Sequence, residues 1–179
     1  MTLDCVVNLL ENIFLIDRKN EYKLFYNSYK KPKNLPDFNH PNVKTYSFNF
    51  PNKIFNASLK ILKAPELDQL IEDVDLFFIP NISFVSLSKR CKKLITVHDL
   101  SFERYPEFFS SKRKLWHKVV SPKKLISTCD KIIAVSENTK NDLVELYKLD
   151  PEKIKVVHSG IGPEFRQIEN SISADSSLY

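Results

Sequence analysis

The chain has 179 residues, of which 42% are hydrophobic and 27% charged, so it is long and apolar enough to fold around a core. This composition excludes wholesale disorder, because disordered chains are poor in apolar and aromatic residues. Only two glycines occur, Gly160 and Gly162, which excludes a glycine-rich phosphate-binding loop in the residues before them. The net charge of +5 comes from lysines spread among acidic residues. Because no nucleic-acid-binding motif accompanies them, a solvated surface is favoured over a nucleic-acid interface.

The cysteine pattern and the apolar runs favour a cytoplasmic protein. Cys5, Cys91 and Cys129 have spacings that fit no metal site, so we expect buried free thiols in a reducing compartment and no bound metal. No run approaches the roughly eighteen apolar residues that indicate a membrane-spanning helix. The N-terminus lacks the basic segment of a secretory signal.

The first part of the chain predicts helices and two short strands. Apolar residues recur every three or four positions in 2–17, which predicts a helix. Strands are predicted at Tyr22–Tyr26 and Val43–Phe48, with prolines marking the loop between them. Helical patterns follow at 53–63 and 66–73, divided by Pro65 at a position where a helix can begin.

The second part predicts a parallel sheet. Its four short apolar runs are each followed by a proline or a polar residue: Asp75–Ile79, Leu94–Val97, Ile132–Val135 and Ile154–Val157. Helical stretches at 111–128 and 137–148 separate the later runs. Such runs are typical of parallel strands buried on both faces, so we predict an α/β fold with a doubly wound, mainly parallel sheet. The sequence becomes rich in Ser, Asn, Asp and Ala after Arg166, which predicts one domain at 1–166 and a linker or tail at 167–179.

The candidate site lies where the predicted strands end, because ligands of such sheets bind at the carboxyl ends of the strands. His98 and Asp99 directly follow one apolar run. A histidine there can contact a ligand or transfer a proton near neutral pH. It can equally be held by Asp99 or by a backbone carbonyl with no ligand. Ser136 begins the next helix, where capping is favoured over binding of an anion.

Two neighbouring segments have more than one interpretation. The aromatic-rich loop 105–109 is either a recognition lid or a cover for the core. Trp116 and His117 lie in the densest basic stretch of the chain. Its cationic residues are Lys112, Arg113, Lys114, Lys118, Lys123 and Lys124. A solvated helix face is favoured there, and contact with an anionic membrane surface is the alternative.

Three segments of the chain together resemble glycosyltransferase family 4. Residues 94–109 read LITVHDLSFERYPEFF and are similar to the T-[VI]-H-D-L-x-F-x-x-x-P-E-x-F segment of that family. Residues 130–143 read DKIIAVSENTKNDL and are similar to D-x-[IV]-I-A-V-S-E-x-T-x-x-D-L. Residues 151–157 read PEKIKVV and are similar to P-E-[KR]-[IV]-x-V-[VI]. The strand ending in Pro80-Asn81 also fits, and weaker similarity extends back through the first helix.

The resemblance implies the N-terminal, acceptor-side Rossmann-like domain of a retaining GT-B enzyme. Such an enzyme moves a sugar, here of the hexosyl type, from a nucleotide-sugar to a saccharide or lipid-linked acceptor, as in polysaccharide assembly. His98 matches the histidine near the transferring sugar, the catalytic position, and Asp99 and Ser136 match substrate-binding positions. No cofactor or metal is implied, because the nucleotide-sugar is a substrate. The implied location is cytoplasmic, with weak peripheral contact to the inner face of the membrane as an option.

The chain also departs from the family pattern. The first strand and glycine-rich loop of the family are missing before the helix 2–17, so Tyr22–Tyr26 and Asp75–Ile79 should either pair directly or leave unpaired edges. The hinge motif carries His158, Ser159 and Gly162 in place of Pro, Asn and Asp. The donor domain, with its two glutamates separated by seven residues, is not matched, so the isolated chain is predicted to be inactive. The alternatives are a non-catalytic acceptor-binding module, a subunit of a split glycosyltransferase with the donor domain on another chain, and an incomplete gene product.

Overall fold

The computed structural model describes residues 3–29 and 38–160. The helices are α1 (Leu3–Ile16), α2 (Asn52–Ile61), α3 (Leu67–Leu70), α4 (Ser101–Arg104), α5 (Ser111–Val120), α6 (Pro122–Ser127) and α7 (Glu137–Tyr147). The strands are β1 (Tyr22–Asn27), β2 (Val43–Phe48), β3 (Leu76–Ile79), β4 (Lys92–Val97), β5 (Lys131–Ala134) and β6 (Ile154–Val156). Short 3₁₀ turns lie at Pro106–Phe108 and Pro151–Lys153.

All strand pairs of the described residues are parallel, which confirms the predicted α/β, doubly wound, Rossmann-like class. Four strands form one sheet in the order β3-β4-β5-β6. Strands that are consecutive in the sequence are therefore adjacent in this sheet. Helices lie in the connections from β4 to β5 and from β5 to β6. The carboxyl ends of the strands therefore meet at one edge, which is where the candidate residues lie.

The main core forms around the two central strands of this sheet. Ile95 of β4 and Ile132 of β5 are fully or almost fully buried and lie opposite each other in the register. Ile126 of α6 and Leu143 of α7 pack into the same cluster. These two strands have continuous apolar runs because both of their faces are covered.

The strands β1 and β2 form a separate two-stranded sheet, and within the described residues β1 does not pair with β3. A second buried cluster on α2 and α3 consists of Phe55, Leu59 and Leu67. Phe25 of β1 and Phe77 of β3 both pack against this cluster. Lys23 Nζ donates to the carbonyl oxygen of Glu72, just before β3, at 2.9 Å. Of the two expected outcomes, residues 3–29 and 38–160 show unpaired edges on β1 and β3. Side-chain contacts join the two sheets.

Several boundaries differ from the sequence predictions. The helix predicted at 111–128 is two helices, because Ser121 adopts a left-handed conformation (φ 56°) and Pro122 begins a new helix. The helix predicted at 66–73 ends earlier, since Glu72 and Asp73 also have positive φ. The boundary at 166 and the tail 167–179 lie outside the described residues.

The described helices include none that is long and apolar enough to cross a membrane. Cys91 and Cys129 are free and buried, as expected, while the side chain of Cys5 lies outside the described part. Burial raises the pKa of the Cys129 thiol to about 11, because the thiolate would be poorly solvated.

Candidate functional site

His98 lies at the carboxyl edge of the four-stranded sheet, directly after β4. Its ring Nε2 is 3.3 Å from the carbonyl oxygen of Pro80, the residue that follows β3. His98 is half-buried, so part of the residue remains accessible to solvent. Of the two partners that the sequence left open, the structure thus pairs the imidazole with a backbone carbonyl.

Asp99 is exposed at the same edge and shapes the loop after β4. Its Oδ1 accepts a hydrogen bond from the backbone N–H of Ser101 at 2.9 Å and another from the Ser101 hydroxyl. These bonds lie just ahead of α4, whose N-cap is Leu100 and which the sequence analysis did not predict. Asp residues favour such helix starts because their carboxylate accepts from otherwise unpaired N–H groups.

Ser136 is the N-cap of α7, as predicted, and its neighbour Thr139 links it to His98. Ser136 Oγ accepts from the backbone N–H of Thr139 at 3.1 Å. The Thr139 hydroxyl is 3.0 Å from Ser136 Oγ and donates to the carbonyl oxygen of His98 at 2.9 Å. Thr139 is only 3% exposed. The structure therefore brings His98 and Ser136 together through Thr139, which was not among the predicted site residues.

The loop after His98 is fastened to α7 by charged side chains. Arg104 donates from Nε to Asp142 Oδ1 at 2.9 Å and from Nη1 to Glu145 Oε1 at 3.0 Å. The Tyr147 hydroxyl donates to Glu103 Oε1 at 2.8 Å. The two carboxylates raise the pKa of Arg104, which stays charged. The segment between His98 and α5 is thus held in place by α7.

A second histidine, His158, lies at this edge and was not among the predicted site residues. It follows β6, and its Nδ1 is 3.2 Å from the carbonyl oxygen of Val135. The signal that could have identified it is the one that singled out His98, a polar residue directly after an apolar run. The ring is exposed, in contrast to that of His98.

The aromatic-rich loop 105–109 is mostly exposed, and Phe109 is its half-buried residue. The ring of His117 on α5 stacks on Phe102 with centroids 3.9 Å apart, and Phe109 meets it edge-on at 6.1 Å. Burial lowers the pKa of His117, which favours its neutral form. Tyr105 and Phe108 remain 55% and 80% exposed. A cavity of about 370 Å³ between this loop and α5–α6 contains neither His98 nor Ser136.

Among the described residues, no three His, Cys, Asp or Glu side chains are grouped so as to hold a metal ion. Seven residues do separate Glu137 from Glu145, the spacing expected of the donor-domain glutamates. Both belong to α7, however, and Glu145 is paired with Arg104. That spacing here lies within a single helix that packs on the parallel sheet.

The comparisons with known proteins agree with the motifs. The family model described as Glycosyltransferase Family 4 matches residues 14–165, which is most of the chain and includes His98, Asp99 and Ser136. No curated protein and no solved structure gives a significant match.

Proposed function

Because the chain belongs to glycosyltransferase family 4, we propose that it forms the N-terminal, acceptor-side half of a retaining glycosyltransferase of the GT-B type. The observation that carries the proposal is the fixed position of His98. Its ring is tied to the Pro80 carbonyl, its own carbonyl is tied to Thr139, and both bonds lie at the edge where a second domain would face the sheet.

We propose that His98 acts on the reacting groups. With Nε2–H donating to the Pro80 carbonyl oxygen, Nδ1 of the neutral ring can accept a hydrogen bond from a hydroxyl of the transferring sugar or the acceptor. Catalysis of sugar transfer requires stabilisation of charge on the sugar and the leaving phosphate, with donor and acceptor held in line. His98 would supply one positioned group, and Asp99 and Ser136 would bind substrate beside it. The groups on the leaving phosphate would come from a donor-binding domain.

The proposed reaction moves a hexosyl group from a nucleotide-sugar to a saccharide or lipid-linked acceptor, as in cell-surface polysaccharide assembly. The nucleotide-sugar is a substrate, and the proposal includes no cofactor or metal. It places the protein in the cytoplasm, where nucleotide-sugars would reach an acceptor at the inner face of the membrane. The donor-binding domain is either joined to this chain or supplied by a second chain.

The second candidate is a non-catalytic module that binds acceptor only. It uses the same edge of the sheet and differs in having no donor site opposite it. Binding of acceptor without turnover in any combination with a donor-binding domain would favour this candidate.

The test compares turnover with and without a donor-binding domain. We expect no transfer above background from residues 1–179 alone with a panel of nucleotide-sugars and saccharide or lipid-linked acceptors. In the complete enzyme, His98→Ala should lower turnover by roughly a hundredfold, the scale for loss of one positioned acid–base or electrostatic group.

His40→Ala is the matched control, since His40 also lies in a half-buried loop but precedes β2, at its amino end. It should leave turnover within about threefold of the unaltered enzyme, because it lies away from the candidate edge. An unchanged rate in a folded His98→Ala enzyme, or transfer by the chain alone that His98→Ala abolishes, would contradict the proposal.

A further inference from the structure

Two helical segments of this protein share an unusual surface composition. No acidic residue occurs in the sequence between Asp37 and Glu66, or between Glu107 and Asp130. These stretches contain α2 and α5–α6 respectively. Nine cationic side chains lie on these helices or, for Lys63, two residues after the end of α2: Lys53, Lys60, Lys63, Lys112, Arg113, Lys114, Lys118, Lys123 and Lys124. None of the nine forms an ion pair within the part of the chain that the structure describes.

The fold brings these segments together. Lys60 Nζ at the end of α2 donates to the Ser121 hydroxyl, between α5 and α6, at 3.3 Å. Trp116 on α5 meets Phe84 edge-on, with ring centroids 6.4 Å apart. Phe84 in turn packs against the buried cluster of α2 and α3. The two contacts are five residues apart along α5–α6, so the junction of α5 and α6 lies near the end of α2.

The charges at this junction are close enough to perturb each other. Burial lowers the pKa of Lys60, and the neighbouring Lys63 and Lys124 lower it further. Such repulsion costs stability unless an anion neutralises it.

Large apolar side chains are exposed among these cations. Ile61 and Leu62 at the end of α2 are 75% and 71% exposed. Leu115 and Val119, one turn apart on α5, are 62% and 42% exposed. A helix of a soluble domain normally directs polar residues outward, so outward Leu and Val flanked by lysines need another explanation. We call the set of Lys60, Ile61, Leu62, Lys63, Leu115, Trp116, Lys118, Val119 and Lys124 the cationic–apolar face.

We propose that the cationic–apolar face docks on the surface of an anionic lipid bilayer. Lysines attract acidic headgroups, and exposed Ile, Leu and Trp enter the boundary between headgroups and acyl chains. A nucleic acid would use the cations but would leave the aliphatic side chains without a role, and a protein partner would not require the whole face to be free of acids. Docking of this face on a bilayer is a property separate from the proposed transfer reaction. It is tested by measuring binding to vesicles, which requires no turnover.

Trp116 gives a direct assay, because it is the single tryptophan of the chain and is 42% exposed. Its emission is followed while vesicles of phosphatidylcholine alone, or of phosphatidylcholine mixed with phosphatidylglycerol, are added to the full chain. We expect a blue shift and co-sedimentation with the mixed vesicles only, weakening as salt is raised.

Two pairs of variants with equal charge change test the location of the face. Lys63→Glu with Lys124→Glu alters it, whereas Lys19→Glu with Lys155→Glu alters exposed lysines on other elements. The first pair should weaken binding at least about twentyfold, since each lysine at an anionic surface is worth about fivefold. The second pair should weaken it less than about threefold, because distant charges are screened.

Substitutions of exposed apolar residues distinguish binding to a lipid bilayer from binding to other polyanions. Leu115→Ser should weaken vesicle binding several-fold, whereas Val157→Ser, at an exposed position after β6, should not. The proposal is overturned if the protein does not bind the mixed vesicles, or if both charge pairs weaken vesicle binding equally. It is also overturned if the protein binds duplex DNA as tightly as the mixed vesicles and Leu115→Ser leaves vesicle binding unchanged.

Discussion

Replacing Thr139 by valine removes one buried hydroxyl and keeps the shape of the side chain. That hydroxyl donates to the His98 carbonyl oxygen at 2.9 Å and lies 3.0 Å from Ser136 Oγ. Leaving the carbonyl without this donor should lower the free energy of unfolding by about 1–3 kcal/mol. One kcal/mol shifts the midpoint of a domain of this size by about 2–4 °C, so we expect Thr139→Val to melt about 2–12 °C lower.

Thr139→Ser is the matched control, because it keeps the hydroxyl and loses only a methyl group. Its cost should be near 1 kcal/mol, about the transfer free energy of one buried methyl group with a small cavity. Urea unfolding followed by circular dichroism gives both free energies. The His98 ring signals in an NMR spectrum should move in the valine variant and stay in place in the serine variant.

Ser136→Ala completes the experiment. Loss of the N-cap should cost about 1 kcal/mol. The double variant with Thr139→Val should cost less than the sum, since the two side chains contact each other. Stability of Thr139→Val within about 0.5 kcal/mol of the unaltered protein, or a serine variant as unstable as the valine variant, would refute the proposed role of the hydroxyl.

Two further predictions concern stability. The folded-state pKa of Cys129 is raised from 9.0 to about 11, so the thiol contributes stability that is present below pH 9 and is lost as the pH rises toward 11. By linkage the loss is about 2–3 kcal/mol. Urea titrations at several pH values should show this fall in the unaltered protein and a smaller one in Cys129→Ala. Fusing a short apolar strand sequence ahead of Met1 should raise the thermal midpoint and the solubility, because it can pair with the edges of β1 and β3 that have no partner strand among the described residues. A fusion of equal length with a polar, glycine-rich sequence is the control, and equal midpoints for the two fusions would contradict the open-edge interpretation.

The elements that were predicted well are those with a strong local signal. The buried runs of β4 and β5 and the Ser136 cap of α7 follow from neighbouring residues alone. The break at Ser121 was missed although Pro122 signals it, because the apolar spacing of a helix continues through it. The contact of Arg104 with Asp142 joins residues 38 positions apart. No local pattern reports such a pairing, so the fastening of the loop after His98 became visible only in the fold.

The candidate site was also predictable only where a local signal exists. The position of His98 after an apolar run placed it at the carboxyl edge of the sheet, and the structure agrees. Its partner was left open, because Asp99 and a backbone carbonyl are equally plausible in sequence. Geometry decides between them, since β3 ends beside β4 and brings the Pro80 carbonyl within reach of the ring.

The division of the strands into two sheets has a consequence for local opening. A ladder of backbone hydrogen bonds transmits cooperativity from strand to strand, whereas side-chain contacts such as Lys23 with Glu72 are broken one at a time. Amide hydrogens of β1 and β2 should therefore exchange with solvent through a partial opening that leaves β4 and β5 protected. The protein would then unfold in two stages, and the four-stranded sheet that carries His98 would be the last part to open.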